Sequence, residues 1–362
     1  MGRKLRHVRD GRNFEDDLMS SRRDDSQRHG QRLPSAAGNE RPTMADVARQ
    51  AGVSKITVSR ALRGDPAVRP ETLEKVVAIA KSQGYRVNLP ARNLRQNRSR
   101  TVSVVVEMAP LASGAIADPY PLDLLRGISQ ELTRTGYSLL LATASDLDTP
   151  PLQAAEGAIL LGEGADDSAL HAIQDSPIPW VVWGADRPDN RYPVVGSDNW
   201  QGGAIAARRF LQTKHRRPVF LGDTHHAELA ARKDGFEDIL RESGLALVAA
   251  RPCDFTVASG ATATEALLRE GTKFDAVFAS SDLIAMGAII ALTRAGHRIP
   301  EDVSVIGYDD TPVGATFAPP LTSVHQNWRQ GGALLARKAI DLIEGREARS
   351  EMLPASLTVR AT

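Results

Sequence analysis

The side chains that could carry out catalysis are sparse and poorly spaced. Cys253 is the only cysteine, so the chain has no internal disulfide and no cysteine-rich zinc site, and a lone cysteine of this kind is usually a small buried apolar residue. His225 and His226 are too far from His215 to give a recognisable metal-ligand spacing. The P-loop, HExxH and GxSxG motifs do not occur, and the Gly-Glu-Gly turn at 162–164 is a weak phosphate signal. We therefore predict no enzyme activity, no metal and no cofactor.

Basic side chains, which bind polyanions, are concentrated near the N-terminus instead. Residues 41–100 contain 13 Lys and Arg against 4 Asp and Glu, whereas residues 101–362 contain 23 against 33. The net charge of +1 for the whole chain hides this asymmetry. A basic module joined to an acidic body predicts that one end of the molecule meets nucleic acid.

Bulk composition narrows the class of protein further. A length of 362 residues with 42% hydrophobic and 25% charged content predicts a soluble protein of two or three domains. No run of 18 apolar residues could span a bilayer, and the N-terminus lacks the apolar core of a secretory signal. We expect a cytoplasmic location and no membrane partner.

The basic module at 41–87 has the pattern of three short helices. Thr43 and Asp46 fit a capping box, Gly52 suits a tight turn, Ser54 can cap a second helix, and Pro70 suits the first turn of a third. The apolar stripe that would close its core comprises Met44, Val47, Ala48, Ala51, Val58, Ala61, Leu62, Leu73, Val76, Val77 and Ala80. Residues 1–40 mix both charge signs without hydrophobic periodicity, which predicts disorder, and residues 88–100 form a polar linker or marginal helix. The alternatives for 1–40 are a passive tail, a misassigned translation start and a nucleic-acid-binding arm.

Residues 101–362 alternate apolar runs with amphipathic stretches. Near-continuous apolar strands separated by helices predict parallel sheets covered on both faces. Two such series, before and after about residue 200, predict two α/β lobes with a ligand cleft at the carboxyl ends of the strands. We expect the chain to cross between the lobes near 196–200, 324–328 and 345–352.

The segment TMADVARQAGVSKITVSRALRGDPAVRPETLEKVVAIAKSQGYRVN resembles the DNA-binding headpiece of the lactose-repressor and galactose-repressor (LacI/GalR) family of bacterial regulators. The resemblance implies a helix-turn-helix whose second helix enters the major groove and reads bases with Lys55, Ile56 and Arg60. At Ala91-Arg92-Asn93-Leu94 the resemblance continues into the family's hinge, which implies a segment that folds on DNA and wedges Leu94 into the minor groove, with Pro90 tolerated in a first helical turn. The DNA contacts expected from the resemblance are Thr43, Ser54, Lys55, Ile56, Thr57, Ser59, Arg60, Asn88, Ala91 and Leu94.

The same resemblance extends over nearly all of residues 101–362 through ADPYPLDLLRGI, VVGSDNWQGG, AARKDGF, FASSDLIAMGAI, IPEDVSVIGYDD and PPLTSVHQNW. It implies an N-terminal all-α headpiece followed by a two-lobed domain like that of periplasmic binding proteins. The effector contacts that follow from it are Glu107, Arg232, Phe255, Ser281, Asp282, Asp309 and Trp328. Arg and Asp side chains would bind hydroxyls while aromatic rings stack on a pyranose, which favours a sugar over a purine.

Structural alternatives stay open for several of these side chains. Asp282 could cap the following helix, Asp309 could hold a loop, Glu107 could serve a surface loop, and Trp180 and Trp183 could be strand core.

Two departures from the family pattern stand out. Gly184 replaces the aspartate that many relatives have after the WVVW strand, so that contact is missing or supplied by Asp186, with Glu107 as a possible substitute. LDTPPLQAAE, where relatives usually have a full helix, has room for one turn at most. The first lobe should therefore be uncovered there or covered by a partner.

The sequence thus predicts a repressor of carbohydrate-utilisation genes that binds a near-palindromic operator as a homodimer and associates with the nucleoid. Ligand closure of the lobes would alter DNA affinity, and induction and corepression are both compatible with this. The alternatives are a nucleoside or phosphorylated metabolite as effector, or a solute-binding protein without DNA function.

Overall fold

The computed structural model of the chain describes residues 42–85, 98–107, 119–143, 147, 149–162, 168–188 and 190–362. The chain divides into two compact units, with the boundary after Asn88. The predicted tail at 1–40 and most of the predicted linker at 88–100 lie outside the described residues. Residues 98–100 of that linker are described and are not helical.

The described residues of the first unit form three helices, α1 (Met44–Ala51), α2 (Lys55–Ala61) and α3 (Pro70–Ser82). Thr43 and Asp46 form the predicted capping box at the start of α1, and Ser54 caps α2. Gly52 ends α1 with φ of 69°, a left-handed conformation that glycine adopts at little cost. The turn between the two helices therefore follows directly from these residues.

The core of this unit is small. Its buried members are Val47, Ala48, Ala51, Val58, Ala61, Val76 and Ala80. Val77 was predicted to join them, and that prediction is wrong, because its side chain is 43% exposed. Three short helices bury only a narrow stripe of α3, and Ile79 rather than Val77 packs beside Val76 and Ala80.

The first lobe of the second unit is built on a six-stranded sheet. In chain order, its elements are β1 (Thr101–Val106), α4 (Pro119–Thr135), β2 (Ser138–Thr143), α5 (Pro150–Gln153), β3 (Gly157–Leu161), α6 (Ser168–Gln174), β4 (Trp180–Trp183) and β5 (Val194–Ser197). The second lobe adds α7 (Asn199–Gln212), β6 (Pro218–Leu221), α8 (Ala227–Glu242), β7 (Ala249–Arg251), α9 (Val257–Arg269), β8 (Ala276–Ala279), α10 (Asp282–Arg294), β9 (Ser304–Asp309), α11 (Pro312–Thr316) and β10 (Thr322–His325). The chain ends with α12 (Trp328–Ile343), β11 (Glu351–Leu353) and β12 (Ser356–Thr358).

Both sheets are mainly parallel, as predicted. The first has the order β11-β5-β4-β3-β1-β2 and the second β12-β10-β9-β8-β6-β7. Only the pairing of β12 with β10 is antiparallel among the strand pairs of the described chain. Apolar side chains pack on both faces of each sheet, which is why the strand sequences read as continuous apolar runs.

The chain passes between the lobes three times. It leaves the first sheet after Ser197, and it returns between His325 and Trp328, because α12 packs in the core of the first lobe. The last passage lies between Leu353 and Ser356, slightly later than the 345–352 predicted from sequence. The difference arises because β11 extends the first sheet before the chain leaves it.

The crossover from β2 to β3 is short. Its only described helix, α5, has 4 residues, in agreement with the single turn predicted there. Strand β2 forms an edge of the first sheet, and its Leu141 is 56% exposed. Leu141 is therefore an exposed apolar side chain on an edge strand.

Candidate functional site

The outer side of α2 carries the side chains predicted to read DNA. Val58 and Ala61 are buried and fix the helix to the core, which leaves Lys55 and Arg60 exposed. Ile56 is 67% exposed, although it is a large aliphatic residue. A cation, an aliphatic group and a second cation on one surface suit phosphates, thymine methyl groups and guanine edges in the major groove.

Hydroxyl groups around α1 and α2 act first as helix caps. Ser54 Oγ accepts a hydrogen bond from the Thr57 backbone N–H at 3.1 Å and lies 2.9 Å from Thr57 Oγ1. Thr43 Oγ1 donates to Asp46 Oδ2 at 2.7 Å, and the hydrogen bonds from Thr43 hold the pKa of the Asp46 carboxyl below its usual range. Ser59 is half-buried on α2. The other predicted contacts, Asn88, Ala91 and Leu94, lie outside the described residues.

In the second lobe, Arg232 lies at the centre of a buried polar cluster. The residue, on α8, is 5% exposed, its Nε donates to Asn199 Oδ1 at 2.8 Å, and its Nη1 donates to the carbonyl oxygen of Ser280 at 2.5 Å. The guanidinium carbon is 3.7 Å from the centre of the Tyr308 ring. No carboxylate in the described ranges forms an ion pair with Arg232. A buried guanidinium without a counter-ion is costly, and such a group is suited to a ligand that brings oxygen acceptors.

Two side chains of this cluster were missed by the sequence reasoning. Tyr308 donates its hydroxyl to Asn199 Oδ1 at 3.2 Å, and burial raises the pKa of Tyr308 to about 12, so the hydroxyl stays protonated near neutral pH. The two missed residues, Asn199 and Tyr308, are buried and orient the Arg232 guanidinium. The only signal in the sequence was the place of Asn199 in VVGSDNWQGG and of Tyr308 in VIGYDD, the second of which also supplied Asp309.

Asp309 lies at a sharp bend where β9 ends. Its φ is 109° and that of Asp310 is 55°, conformations that non-glycine residues adopt only when their surroundings hold them. Asp310 is held by Arg360 Nη2 at 2.6 Å and by Thr358 Oγ1 at 2.8 Å. The bend presents Asp309 at the carboxyl edge of the sheet, where its Oδ1 accepts from Gln326 Nε2 at 2.7 Å.

Asp282 and Ser281, both predicted effector contacts, are tied into the protein. Ser281 Oγ caps α10 by accepting from the backbone N–H of Ile284 at 3.3 Å. Asp282 is 1% exposed and accepts from the backbone N–H of Thr311 at 2.7 Å, from Thr311 Oγ1 at 2.8 Å and from Ser323 Oγ at 2.5 Å. Burial raises the pKa of Asp282 to about 6. Asp282 therefore does not cap the following helix, the structural alternative predicted for it, because Ser281 supplies that cap; its carboxylate instead joins α10 to Thr311 and Ser323, and its effector role stays a prediction.

The remaining predicted contacts differ in how open they are. Glu107 follows β1 at the carboxyl edge of the first sheet and is half-buried. The ring of Phe255 is 38% exposed and packs edge-on against His226, with ring centres 5.7 Å apart. Trp328 is 4% exposed within the core of the first lobe, so it offers no open ring face for stacking in this conformation. Asp186, the substitute considered for the aspartate missing at Gly184, is exposed.

Comparisons with known proteins place the headpiece helices and the ligand-binding unit in one protein family. A model for bacterial regulatory proteins of the lacI family matches residues 43–88, and a model for a periplasmic binding protein-like domain matches residues 207–362. The HTH-type transcriptional regulator CelR of Thermobifida fusca is 34% identical over 319 residues, which are 84% of this chain and 93% of CelR. The chain belongs to the LacI family.

Solved structures agree with this LacI-family assignment. A transcriptional regulator CelR–cellobiose complex has 32% sequence identity and a TM-score of 0.68, covering 89% of this chain and 99% of that one. A lac repressor dimer bound to operator and the anti-inducer ONPF has 25% identity and a TM-score of 0.76, covering 89% of this chain and 98% of that one. The protein is therefore a LacI-family DNA-binding transcriptional regulator with a ligand-binding domain.

Family membership also decides between the classes considered from sequence. LacI-family transcriptional regulators are not enzymes, and a solute-binding protein without DNA function is set aside. Across the parts of the chain with described structure, no three His, Cys, Asp or Glu side chains converge as a metal site. Within the same parts, no helix has both the length and the hydropathy needed to cross a bilayer.

Proposed function

We propose that this LacI-family regulator represses carbohydrate-utilisation genes by binding a near-palindromic operator as a homodimer, and that a small sugar in the second unit controls its operator affinity. It would act in the bacterial cytoplasm, in association with the nucleoid. The observation that carries the DNA-binding part is the exposed surface of α2, where Ile56 lies between Lys55 and Arg60 with 67% of its area in solvent. The headpiece gains nothing from this exposed aliphatic group unless α2 contacts a partner.

The sugar part of the proposal is supported by the donors and acceptors of the second lobe. Arg232 is a buried donor that pairs with no carboxylate among the described residues, Asp309 has a carboxylate at the strand ends, and the Phe255 ring is 38% exposed. Hydroxyl groups of a sugar can both accept from a guanidinium and donate to a carboxylate, and its C–H face packs on an aromatic ring. The relative solved with cellobiose is one member of the family for which a sugar ligand is recorded.

A homodimer is supported by apolar surface on both lobes. Leu122 on α4 and Leu141 on β2 are each more than half exposed. On the second lobe, Val313 is 56% exposed, and a shallow cavity of about 250 Å³ is lined by Ile289, Ile290, Thr293, Arg294, Phe317 and Ala318. A second copy of the chain is the occupant we propose, because the lac repressor solved with its operator is a dimer and two headpieces match two half-sites.

Control of DNA affinity would follow from differential binding. A sugar that binds one arrangement of the lobes better shifts the population toward that arrangement, and operator affinity changes by the same coupling free energy. Induction and corepression are the two signs of that coupling, and the titration below distinguishes them.

The test of DNA recognition is fluorescence anisotropy of a labelled fragment from the gene's own upstream region. We expect saturable binding by the full chain that Ile56→Ala weakens by about tenfold, because burying an aliphatic side chain against the major groove is worth about 1.5–3 kcal/mol and the change removes part of that burial. Val77→Ala is the matched control, since Val77 is an exposed aliphatic residue of the same unit but lies on α3. Absence of binding, or equal losses in the two variants, would contradict the proposed recognition surface.

The test of the effector repeats this titration with cellobiose, other disaccharides and monosaccharides, nucleosides and sugar phosphates. A change in operator affinity with one neutral sugar supports the proposal and gives the sign of the response. A change only with a nucleoside or a sugar phosphate contradicts the sugar assignment and leaves the DNA function in place.

The dimer is tested by light scattering after size exclusion. Leu141→Arg should convert dimers to monomers and lower operator affinity, whereas Val248→Arg, at another exposed aliphatic position, should not. A wild-type chain that is monomeric at micromolar concentration contradicts the homodimer.

A further inference from the structure

The end of the linker that precedes β1 is fastened to the first lobe by a cluster of side chains. Arg98 Nε donates to Glu156 Oε2 at 2.8 Å, and its Nη2 lies 2.6 Å from the same oxygen. The backbone N–H of Arg100 donates to the other carboxylate oxygen, Glu156 Oε1, at 2.7 Å. One carboxylate therefore binds two successive parts of the linker. We call Arg98, Arg100, Tyr137 and Glu156 the linker clamp.

Tyr137 completes this clamp from the side of α4 and β2. Its hydroxyl accepts from Arg98 Nη2 at 3.1 Å, and the guanidinium carbon of Arg100 lies 5.0 Å from its ring centre. The ring is 5% exposed and belongs to the apolar core of the lobe. Both arginines are thus held against a side chain that cannot move without the core.

The backbone of the linker is fixed at the same point. The carbonyl of Arg100 accepts from the N–H of Ser138 at 2.8 Å, and the carbonyl of Thr101 accepts from the N–H of Glu156 at 2.9 Å. Arg100 has φ of 52°, a left-handed conformation that a non-glycine residue keeps only where several contacts hold it. The chain therefore enters β1 in one defined direction.

Glu156 remains charged in this setting. Its side chain is 12% exposed, and burial alone would raise its pKa, but the hydrogen bonds from Arg98 and Arg100 outweigh burial and hold the pKa below its usual range. The hydrogen bond to Glu156 likewise raises the pKa of Arg98. The pair stays ionised over the physiological pH range.

The clamp and the predicted effector edge are at opposite ends of the same strand. β1 runs from the clamp to Glu107, and its Val102, Val104 and Val105 are fully buried between neighbouring strands. Six residues of strand span about 20 Å. Arg100, Tyr137 and Glu156 immediately precede β1, β2 and β3, so the clamp lies at the amino edge of the sheet, where three neighbouring strands begin.

We propose that Glu156 is a positioning residue that transmits the arrangement of the first lobe to the DNA linker, through its bonds to Arg98 and Arg100. The proposal rests on the proposed function, because transmission requires an operator and an effector. A linker attached by a flexible tether would average out any reorientation of the lobe. A linker fixed at its last three residues follows that reorientation and passes it toward the headpiece.

The experiment uses the full chain with Glu156→Gln and Arg98→Ala. Glu156→Gln keeps an acceptor for the Arg100 amide but loses the charge, and Arg98→Ala leaves the carboxylate in place. Glu351→Gln is the matched control, because it breaks the ion pair from Lys338 Nζ to Glu351 Oε2, at 3.0 Å, elsewhere in the same lobe. Operator affinity is measured with and without cellobiose, or with whichever sugar of the panel shifts the wild type. Sugar affinity without DNA is measured by calorimetry, and folding by thermal melting.

We expect the sugar to change operator affinity at least fivefold less in Glu156→Gln and Arg98→Ala than in the wild type and in Glu351→Gln. Sugar affinity without DNA should stay within twofold of the wild type in all variants, which a general loss of structure would not allow. Folded variants that respond to the sugar as the wild type does would overturn the clamp proposal. A wild type whose operator affinity ignores every sugar would instead contradict the proposed function itself.

Discussion

At the scale of single residues, Arg232 is the group on which effector binding should depend most. Replacement by Met keeps its approximate length and removes the buried charge. We expect sugar affinity to fall about 100-fold, since hydrogen bonds to a charged group are worth about 1.5–3 kcal/mol each. Thermal melting is measured alongside, because the change removes an uncompensated buried charge but also takes the Arg232 donor away from the buried Ser280 carbonyl and from Asn199 Oδ1.

Isothermal calorimetry with the responsive sugar measures this loss for Arg232→Met. Lys233→Met is the control on the same helix, where the lysine pairs with Glu237 at 2.9 Å instead of entering the cluster. Equal sugar affinities for Arg232→Met and the wild type would remove Arg232 from the binding site.

Asp282 gives a second prediction at this scale, for the pH dependence of stability. Burial raises its pKa to about 6 from an ordinary value of 3.8, so between those values the folded protein keeps a proton that the unfolded chain has released. Its contribution to the free energy of unfolding is complete below the lower value. That contribution, about 3 kcal/mol of the free energy of unfolding, is lost as the pH rises through about 6.

Urea unfolding at several pH values from 4 to 7 measures how the free energy of unfolding changes with pH. Asp282→Asn should make that dependence weaker. Asp302→Asn should leave the slope in this window unchanged, because Arg298 holds the pKa of Asp302 well below its usual range. The same slope in the wild type and in Asp282→Asn would show that Asp282 is not the titrating group.

At the scale of elements, two serines on the sheets distinguish burial from hydrogen bonding. Ser103 on β1 and Ser323 on β10 are both fully buried. The Ser103 hydroxyl has no hydrogen-bond partner in the described structure, whereas Ser323 donates to Asp282 at 2.5 Å and accepts from the Asp310 N–H at 3.0 Å. An unsatisfied buried hydroxyl lowers stability, and a satisfied one raises it.

We therefore expect Ser103→Ala to increase the free energy of unfolding by about 1 kcal/mol and Ser323→Ala to decrease it by about 1–3 kcal/mol. Denaturant melts of the two variants against the wild type measure both signs. A loss of stability in Ser103→Ala comparable to that in Ser323→Ala would mean that the Ser103 hydroxyl has a partner.

At the scale of the whole molecule, charge is divided between a basic headpiece with its linker and an acidic body. Operator binding should weaken steeply with salt, because phosphate contacts release counterions. With about 6–10 such contacts, affinity should fall about 10³-fold or more between about 50 and 200 mM salt.

Anisotropy titrations at increasing salt measure this slope, and calorimetry of the sugar under the same conditions is the control. Sugar binding to the acidic body should change little over the range, since a neutral ligand releases no counterions. Operator affinity that is independent of salt would contradict the assignment of residues 41–100 as the phosphate-binding module.

The sequence by itself determined the helices of the headpiece, the parallel sheets and the family. Caps such as Thr43 with Asp46, and Ser54, act within one helical turn, and continuous apolar strands indicate burial on both faces without any long-range information. The same local rules placed Lys55, Ile56 and Arg60 on the outside of α2, because their neighbours Val58 and Ala61 must face the core.

Only the tertiary structure decided what surrounds each polar side chain. Val77 faces solvent because the three short helices bury only a narrow stripe of α3, and Trp328 is closed because α12 returns to the first lobe. Arg232 meets Asn199 and Tyr308 from elements far apart in sequence. Glu156 meets Arg98 across 58 positions of the chain. Such partners depend on strand order and on the passages between the lobes, which periodicity does not encode.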